Sequence, residues 1–384
     1  MKITKLFKEF FNSEKTGGLI LIGCTIISLL VANSVYGEEY SGFWNMQFAG
    51  HTTVHWINDG LMTIFFLLIG LELEREIYIG ELSNIKEALL PTIAAIGGIM
   101  IPAGIYLSFN FGTITQTGAG IPMATDIAFA IGILSLLGKR VPTSLKVFLT
   151  ALAIIDDLGA ILIIAIFYTK TLLWSNLGIA AGIFGLLLIL NQLKVKNLIP
   201  YLIGGVFMWY FMLHSGVHAT ITGVLLAFAI PFGDGAEKSK SYKLQQILHT
   251  PVAFIILPIF ALANTAIVFS SDIGHALTEN YSLGIALGLI IGKPLGIFLF
   301  TFIAVAIGLC KLPSDLSWKS IIGVGFLGGI GFTMSIFITL LAFDSGTIIN
   351  NAKVVILISS LIAGIIGFFS LKIILKEPTT ESDW

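Results

Sequence analysis

Long apolar runs, broken at intervals by short groups of Gly, Pro, Asn or charged residues, fill most of the sequence. A run of about 20 apolar residues is long enough to cross a bilayer as a helix. Such segments lie at 18–34, 54–71, 89–108, 118–137, 147–169, 176–190, 199–213, 217–231, 252–270, 283–309, 318–342 and 350–375. The pattern therefore predicts an all-α polytopic membrane protein with about twelve transmembrane helices.

Composition strengthens this prediction. Of the 384 residues, 56% are hydrophobic and only 11% are charged, whereas a soluble domain carries about 25% charged residues. The mean hydropathy is +0.96, and 41 glycines suit closely packed membrane helices. Twelve spans leave room for short connections only, so we expect one transmembrane domain over 1–384. The net charge of −1 gives no indication of nucleic-acid binding.

The Lys and Arg residues predict the topology. Eighteen of the 21 lie at the two ends and in alternate connections, and the opposite connections contain only Lys170 and Lys353. Cytoplasmic connections are enriched in Lys and Arg, so both termini are predicted to be cytoplasmic. Basic residues precede the first apolar run, but no clear cleavage site follows it, and we interpret it as a retained span.

Four charged residues stand out inside apolar segments: Asp126, Asp156, Asp157 and Lys293. Each costs about 2.5–3.5 kcal/mol on insertion scales, and such residues usually mark functional sites. A structural alternative is a cluster that only locks helices together. Three acids against one base leave surplus negative charge, which favours the functional interpretation.

Asp156 and Asp157 are adjacent near the middle of the fifth segment. Neighbours on a helix point about 100° apart, so one carboxylate can face a cation while the other lines a hydrated cavity. Burial and a like-charged neighbour both disfavour ionisation. Such a pair can hold a proton in one state and a small hard cation in another.

Two segments are predicted to be broken. Gly118, Gly120 and Pro122 interrupt the fourth, and the eleventh contains four glycines within Gly325–Ser335. Interrupted spans in corresponding halves of a chain are a sequence sign of a transporter binding site. Each break leaves charged helix ends inside the membrane, which Asp126 and Lys293 could compensate.

Five groups of residues resemble signatures of the bacterial NhaA-type sodium/proton antiporters, in the same order. These are Asn58-Asp-Gly-Leu-Met with Gly70-Leu-Glu, Ala124-Thr-Asp-Ile-Ala-Phe-Ala, Ala153-Ile-Ile-Asp-Asp-Leu-Gly-Ala, Gly292-Lys-Pro-Leu-Gly, and Gly329-Ile-Gly-Phe-Thr-Met-Ser-Ile-Phe. His214-Ser-Gly-Val-His-Ala-Thr is similar as well. The resemblance covers nearly the whole chain, and it implies inverted-topology repeats, with broken helices four and eleven.

The resemblance also implies the roles of the buried charges. Asp157 would be the main Na⁺ and proton site, with Asp156 as its partner, paired with Lys293 in one state. Asp126, with Thr125 beside it, would balance the crossing of the broken helices.

A transporter of this family would need no cofactor and no nucleotide. It would export Na⁺ or Li⁺ electrogenically against inward protons by alternating access, with a role in pH and sodium homeostasis. We would expect it in the bacterial inner membrane as a homodimer, formed partly through residues 35–53.

The family has a cytoplasmic funnel associated with pH activation, and four residues match it: Glu72, Arg75, Glu76 and His249. An ordinary solvated helix end is the alternative for the first three. His218 is a further candidate, although its apolar context favours a packed, hydrogen-bonded residue. The chain departs from the family pattern at Glu74, Gln245 and Gln246, which leaves the charge and pH set-point of the funnel open.

Two other functions are weaker fits. An aspartyl intramembrane hydrolase needs acids on separate helices, whereas Asp156 and Asp157 are adjacent, and the enzyme motifs of metal and serine hydrolases are missing from the sequence. A proton-coupled organic-solute transporter would need aromatic or basic ligand contacts, and only one base lies among the acids. Cys24 and Cys310 have no metal-ligand spacing and are interpreted as buried thiols.

Overall fold

The computed structural model describes residues 5–169, 172–236, 239–269 and 273–375. Lys2, Lys170, Lys238 and Lys376, four cations of the predicted charge asymmetry, lie outside these residues. The α-helical stretches, some extended by π-helical turns, are Lys5–Ala32, Gly37–Trp44, Thr53–Tyr78, Ile85–Asn110, Ile127–Leu136, Thr143–Phe167, Trp174–Gln192, Ile199–Leu213, Ile221–Ala229, Lys240–Asn264, Ile273–Thr278, Asn280–Ala306, Trp318–Gly328, Phe332–Ala342 and Gly346–Ile374. The 3₁₀ turns are Glu81–Ser83, Gln116–Met123 and Gly138–Arg140, and the strands Gln47–Phe48 and His51–Thr52 form one antiparallel hairpin.

The number of spans agrees with a polytopic membrane protein. Among the described residues, eight helices are long and apolar enough to cross a membrane, or ten if each of two bent pairs counts as one span. Ile199–Leu213 and Ile221–Ala229 occupy the seventh and eighth predicted segments, but they have only 15 and 9 residues. Helices thus occupy all twelve predicted segments, and the fold is all-α and polytopic.

The helices group into two compact units. The first contains the described residues of Met1–Ile20, Asn84–Ala160 and Ser270–Trp384, and the second contains Leu21–Ser83 and Ile161–Phe269. Each unit is built from several spans. A single transporter domain over 1–384 stays a prediction.

In the first unit, glycines bring two helix backbones into contact. A Cβ on Gly97 would lie 2.2 Å from the carbonyl oxygen of Gly296, and a Cβ on Gly296 would lie 2.1 Å from that of Gly97. Neither position accepts a side chain, which is the close approach that small residues permit in membrane helices. Next to this contact, a Cβ on Gly98 would lie 3.6 Å from Cε of Lys293. The glycines therefore leave space for the stem of a buried lysine.

In the second unit, glycines also allow two helices to pack closely. A Cβ on Gly223 would lie 2.2 Å from the carbonyl oxygen of Thr63, and one on Gly70 would lie 2.6 Å from Cβ of Ala227. The helix Ile221–Ala229 therefore runs alongside Thr53–Tyr78 in the same direction. Apolar side chains fill the core around this pair, including Leu71, Tyr201, Met208, Ala227 and Ile230.

Both predicted breaks are confirmed. In the fourth segment the 3₁₀ turn Gln116–Met123 contains Pro122, the chain is extended at Ala124, and a new helix begins at Ile127. Proline lacks the N–H that a continuing helix needs, and its ring restricts the preceding residue. In the eleventh segment, Trp318–Gly328 and Phe332–Ala342 are bent by 48° at a break of three residues.

The prediction that Lys353 lies in a connection is wrong. The last helix begins at Gly346, so Lys353 lies about two turns inside it and is only 8% exposed. The start of this helix is hard to locate from the sequence, because Gly346 and the polar residues after it are typical of a loop. The long stem of a lysine packs along apolar surface readily.

Candidate functional site

Asp126 joins the two broken helices. Its Oδ1 accepts a hydrogen bond from Phe129 N at 3.0 Å, which caps the helix that begins at Ile127. Its Oδ2 accepts bonds from Thr333 N at 3.1 Å and Thr333 Oγ1 at 2.5 Å, at the start of Phe332–Ala342. Helix N-termini carry partial positive charge and unsatisfied N–H groups. One carboxylate, 2% exposed, therefore satisfies both.

Backbone contacts support the same crossing. Asp126 N donates to the carbonyl oxygen of Ile330 at 2.7 Å, and Phe332 N donates to Oγ of Ser360 at 3.1 Å. Both breaks therefore have partners for several of the amides that the broken helices expose. Sequence reasoning missed Thr333 and Ser360. The only available sign for Thr333 was its position just after Gly331, where a helix restarts.

Lys293 is paired with Asp156. Its Nζ lies 2.5 Å from Asp156 Oδ2 and also donates to the carbonyl oxygen of Met123, at the end of the 3₁₀ turn before the fourth-segment break. Lys293 is 0% and Asp156 1% exposed. A π-helical turn, Gly288–Gly292, immediately precedes Lys293, and such turns are frequent at functional sites. The base thus neutralises one acid and the negative end of one helix.

Thr125 adds a third group to this pair. Its Oγ1 lies 2.7 Å from Asp156 Oδ2 and 2.7 Å from the carbonyl oxygen of Gly328. A hydroxyl has one proton, so it donates to one of these acceptors at a time. Since Gly328 ends the first half of the eleventh segment, Thr125 connects the carboxylate to both breaks.

Asp157 is the next residue on the same helix and is 1% exposed. It points about 100° away from Asp156, so it is not on the side that holds Lys293. Asp156 Oδ1 is buried and accepts no hydrogen bond from the described residues. The two carboxylates could offer oxygens to a small cation, which is the donor type that hard cations prefer.

A metal ion held permanently by the protein is a different case from a transported ion. The described residues contain no group of three or more His, Cys, Asp or Glu side chains that could hold a metal ion. Cys310 is buried and Cys24 is partly buried, and both are free thiols.

The predicted funnel residues lie in the second unit. Glu72 is 7% exposed, and the Arg75 guanidinium lies over the ring of Tyr242, 4.8 Å from its centroid. His249 lies on the same helical stretch as Tyr242, and Glu76 is on the same helix as Arg75. Glu74 is buried at 4% exposure, and Ser241 lies close to it.

His218 lies away from this group. Its Nε2 is 2.9 Å from the carbonyl oxygen of Tyr168, and it precedes Ile221–Ala229, whose start packs near Thr63. Arg75 lies near the opposite end of Thr53–Tyr78. The structure thus matches the interpretation of His218 as a packed, hydrogen-bonded residue.

Comparison with known proteins agrees with these features. Residues 8–371 match the family model described as Na+/H+ antiporter 1. The chain is 74% identical over 382 residues to the Na(+)/H(+) antiporter NhaA of Flavobacterium psychrophilum, with 100% of both chains covered. It is 64% identical to the protein of that name from Cytophaga hutchinsonii, covering 99% of this chain and 98% of the relative. Identity is 47% with the NhaA of Bordetella parapertussis, with 96% of each covered. The chain belongs to the Na+/H+ antiporter 1 family.

Proposed function

We propose that the protein is an electrogenic antiporter that exports Na⁺, or Li⁺, in exchange for inward protons. Family membership supports the exchange of Na⁺ for H⁺. The mechanism rests on the different surroundings of the two Asp156 oxygens. Oδ2 is paired with Lys293, and Oδ1 is buried and accepts no hydrogen bond from the described residues. An uncompensated buried carboxylate oxygen is costly, so the site favours a cation or a proton there.

Charge counting in the first unit supports a mobile ion. Three acids and one base are at most 2% exposed there: Asp126, Asp156, Asp157 and Lys293. The negative charge of Asp126 compensates the partial positive charge of two helix N-termini, and the positive charge of Lys293 compensates one carboxylate. A proton or a cation bound at Asp156 and Asp157 lowers the cost of holding both carboxyls in the membrane interior. Because both compete for the same charge, binding one displaces the other.

The same counting supports an electrogenic cycle. With Na⁺ bound, two carboxylates, Lys293 and Na⁺ sum to zero. With both carboxyls protonated and Na⁺ released, Lys293 leaves one positive charge. A cycle between these states exchanges more protons than Na⁺ and moves net charge.

Alternating access would use the two breaks. Thr125 connects Asp156 to the broken eleventh segment, and Asp126, the next residue, bonds the helix starts at both breaks. A change in ion occupancy at Asp156 can therefore alter how the half-helices pack. Interrupted helices around a fixed site are a recurrent way to open it to one side at a time.

The test uses purified protein in liposomes with an imposed pH gradient and a pH dye. Addition of Na⁺ or Li⁺ should dissipate the gradient, whereas choline should not. With the membrane potential clamped by valinomycin and K⁺, the rate should rise, because charge no longer accumulates. A Na⁺ response that is insensitive to the clamp would rule out the electrogenic cycle, and no response between about pH 6.5 and 9 would rule out the exchange, because buried carboxyls that bind cations must titrate in or near that range.

Further features of the protein belong to the same proposal. Its relatives are bacterial, and we infer a multi-pass protein of the bacterial inner membrane with both termini cytoplasmic. A homodimer would use the hairpin of Gln47–Phe48 and His51–Thr52, where Phe48 is 72% exposed. Cysteine at Phe48 should then cross-link two copies in membranes, whereas cysteine at Ile166, which is 68% exposed on another helix, should not.

The pH-responsive funnel is also a proposal. The helix of Glu72, Arg75 and Glu76 packs against the stretch that begins at Lys240 and carries His249. Ionisable groups at two packed helix ends could respond to pH together. The replacement of Gln245 by Glu should shift the pH at which exchange becomes half-maximal, since it adds a second carboxyl one turn from the Ser241 that contacts Glu74.

A further inference from the structure

Thr150 has an unusual environment for a threonine in a helix interior. Thr222, the other described threonine with a buried and unpartnered hydroxyl, lies in the first turn of its helix. Thr150 lies in Thr143–Phe167, the helix that carries Asp156 and Asp157, and is only 8% exposed. Its Oγ1 is buried and has no hydrogen-bond partner among the described residues. Neither the predicted ion site nor the helix crossing uses it.

Other threonines in the apolar helices show what is normal here. Thr25, Thr265, Thr301 and Thr339 each donate to the carbonyl oxygen four residues earlier, at 2.6–2.8 Å. This bond is the usual way for a threonine to satisfy its hydroxyl in an apolar helix. Thr150 does not make the equivalent bond to Lys146. Its hydroxyl is therefore left able to bind a group outside the helix.

Helix geometry places Thr150 on the face of Asp157. Seven residues correspond to about 700°, which is within about 20° of two full turns, and to a rise of about 10 Å. Between them this face carries only Ala153 and Ile154, which are both buried. On this face, Thr150 is therefore the nearest polar group to Asp157 in the direction of the helix start at Thr143.

We propose that Thr150 Oγ1 is a transient ligand for the partly hydrated Na⁺ as it moves between the Thr143 end of the helix and Asp157. This inference rests on the proposed Na⁺/H⁺ exchange. A hydroxyl oxygen can bind a hard cation through its lone pairs, and its O–H can donate to a water molecule that the cation retains. On an otherwise apolar face, such a group supplies an oxygen about midway along the path.

The test compares three variants in the liposome exchange assay. Thr150→Val keeps the shape but removes the hydroxyl, and Thr150→Ser keeps the hydroxyl. Thr301→Val is the matched control, because Thr301 is buried in the same unit and its hydroxyl bonds its own helix. We expect Thr150→Val to raise the Na⁺ concentration for half-maximal exchange by about 3- to 10-fold, the effect of losing one ligand hydrogen bond. Thr150→Ser and Thr301→Val should stay within about 2-fold of the wild type, since neither removes that ligand.

A second measurement separates a ligand from an unused hydroxyl. In detergent, Na⁺ should raise the melting temperature of the wild type and of Thr150→Val over the same range of Na⁺ concentration, because the ion bound at equilibrium lies at Asp157 and not at Thr150. If Thr150→Val shows the wild-type Na⁺ dependence of exchange, or needs more Na⁺ for the same melting shift, the proposal of a transient ligand is overturned while the exchange itself stands. If the wild type neither exchanges nor binds Na⁺, both proposals fail. Should the Val variant not fold, Thr150→Ala is measured in the same way, and the same outcomes decide.

Discussion

The two units hold their charges in different ways. In the first, Asp126, Asp156 and Lys293 are at most 2% exposed and have partners within 3.1 Å. In the second, Arg75 is only partly buried, and its guanidinium lies over the ring of Tyr242, 4.8 Å from the centroid. A fully buried charge is tolerated only when something neutralises it. We therefore expect changes in the first unit to abolish exchange or folding, and changes in the second to adjust them.

The largest expected effect is on exchange. Asp157→Asn should reduce Na⁺/H⁺ exchange by more than about 100-fold, because a neutral amide in the membrane interior cannot alternate between a proton and a cation. Glu76→Gln, a matched loss of one carboxylate in the second unit, should retain exchange with a changed pH profile. Initial rates of gradient dissipation in liposomes measure both. Exchange that survives Asp157→Asn would remove Asp157 as the ion site.

The next effect is on stability. Lys293→Ala should lower the free energy of unfolding by about 3–5 kcal/mol, because it leaves the charge of Asp156 buried without its partner. Lys353→Ala is the control: Lys353 is also buried but forms no ion pair with the described residues, so we expect a loss of about 1–2 kcal/mol from packing of its stem. Thermal and denaturant unfolding in detergent would show the difference. Equal losses would contradict the pairing of Lys293 with Asp156.

A smaller effect is expected at the helix crossing. Thr333→Val removes the hydroxyl donor to Asp126 but keeps the backbone N–H bond, so the loss should be about 1–2 kcal/mol. In Thr339→Val the lost hydroxyl bonds only its own helix, and the change should be below about 1 kcal/mol. The same unfolding measurements apply. A larger loss at Thr339 would mean that the crossing does not depend on this contact.

The smallest expected effect on stability comes from a substitution in the second unit. Arg75→Gln removes the cation above Tyr242, a contact that contributes about 0.5–1 kcal/mol at a partly exposed position. Exchange should continue, with at most a displaced pH profile. Loss of all exchange in this variant would show that the second unit also contains an essential charge.

Much of the fold could be predicted because its physical constraints are strong. The insertion cost of charge separates spans from connections, and Pro122 cannot continue a regular helix, so the twelve segments and the fourth-segment break follow from sequence. The burial of Lys353 did not follow, because Lys353 lies only three residues inside the predicted segment 350–375 and was assigned to the connection, whereas the helix begins four residues earlier, at Gly346. The eighth helix, Ile221–Ala229, is also shorter than the predicted segment 217–231.

The site could be predicted less completely. The sequence isolates Asp126, Asp156, Asp157 and Lys293 as buried charges, but adjacency alone does not decide which of the two aspartates faces Lys293. That choice depends on how the helix is rotated in the packed unit. Thr333 and Ser360 were missed because hydroxyls in membrane helices usually bond their own backbone, so a hydroxyl that serves another helix has the same appearance in sequence.

Proton release on Na⁺ binding tests the central claim most directly. Purified protein in weakly buffered detergent is titrated with Na⁺, and a pH dye records the protons released in the wild type and in Asp157→Asn, with choline as the control cation. If Na⁺ and protons compete for the carboxylate pair, the wild type should release protons as Na⁺ saturates the site, and Asp157→Asn should release none. Na⁺ binding without proton release in the wild type, or equal release in Asp157→Asn, would contradict the account.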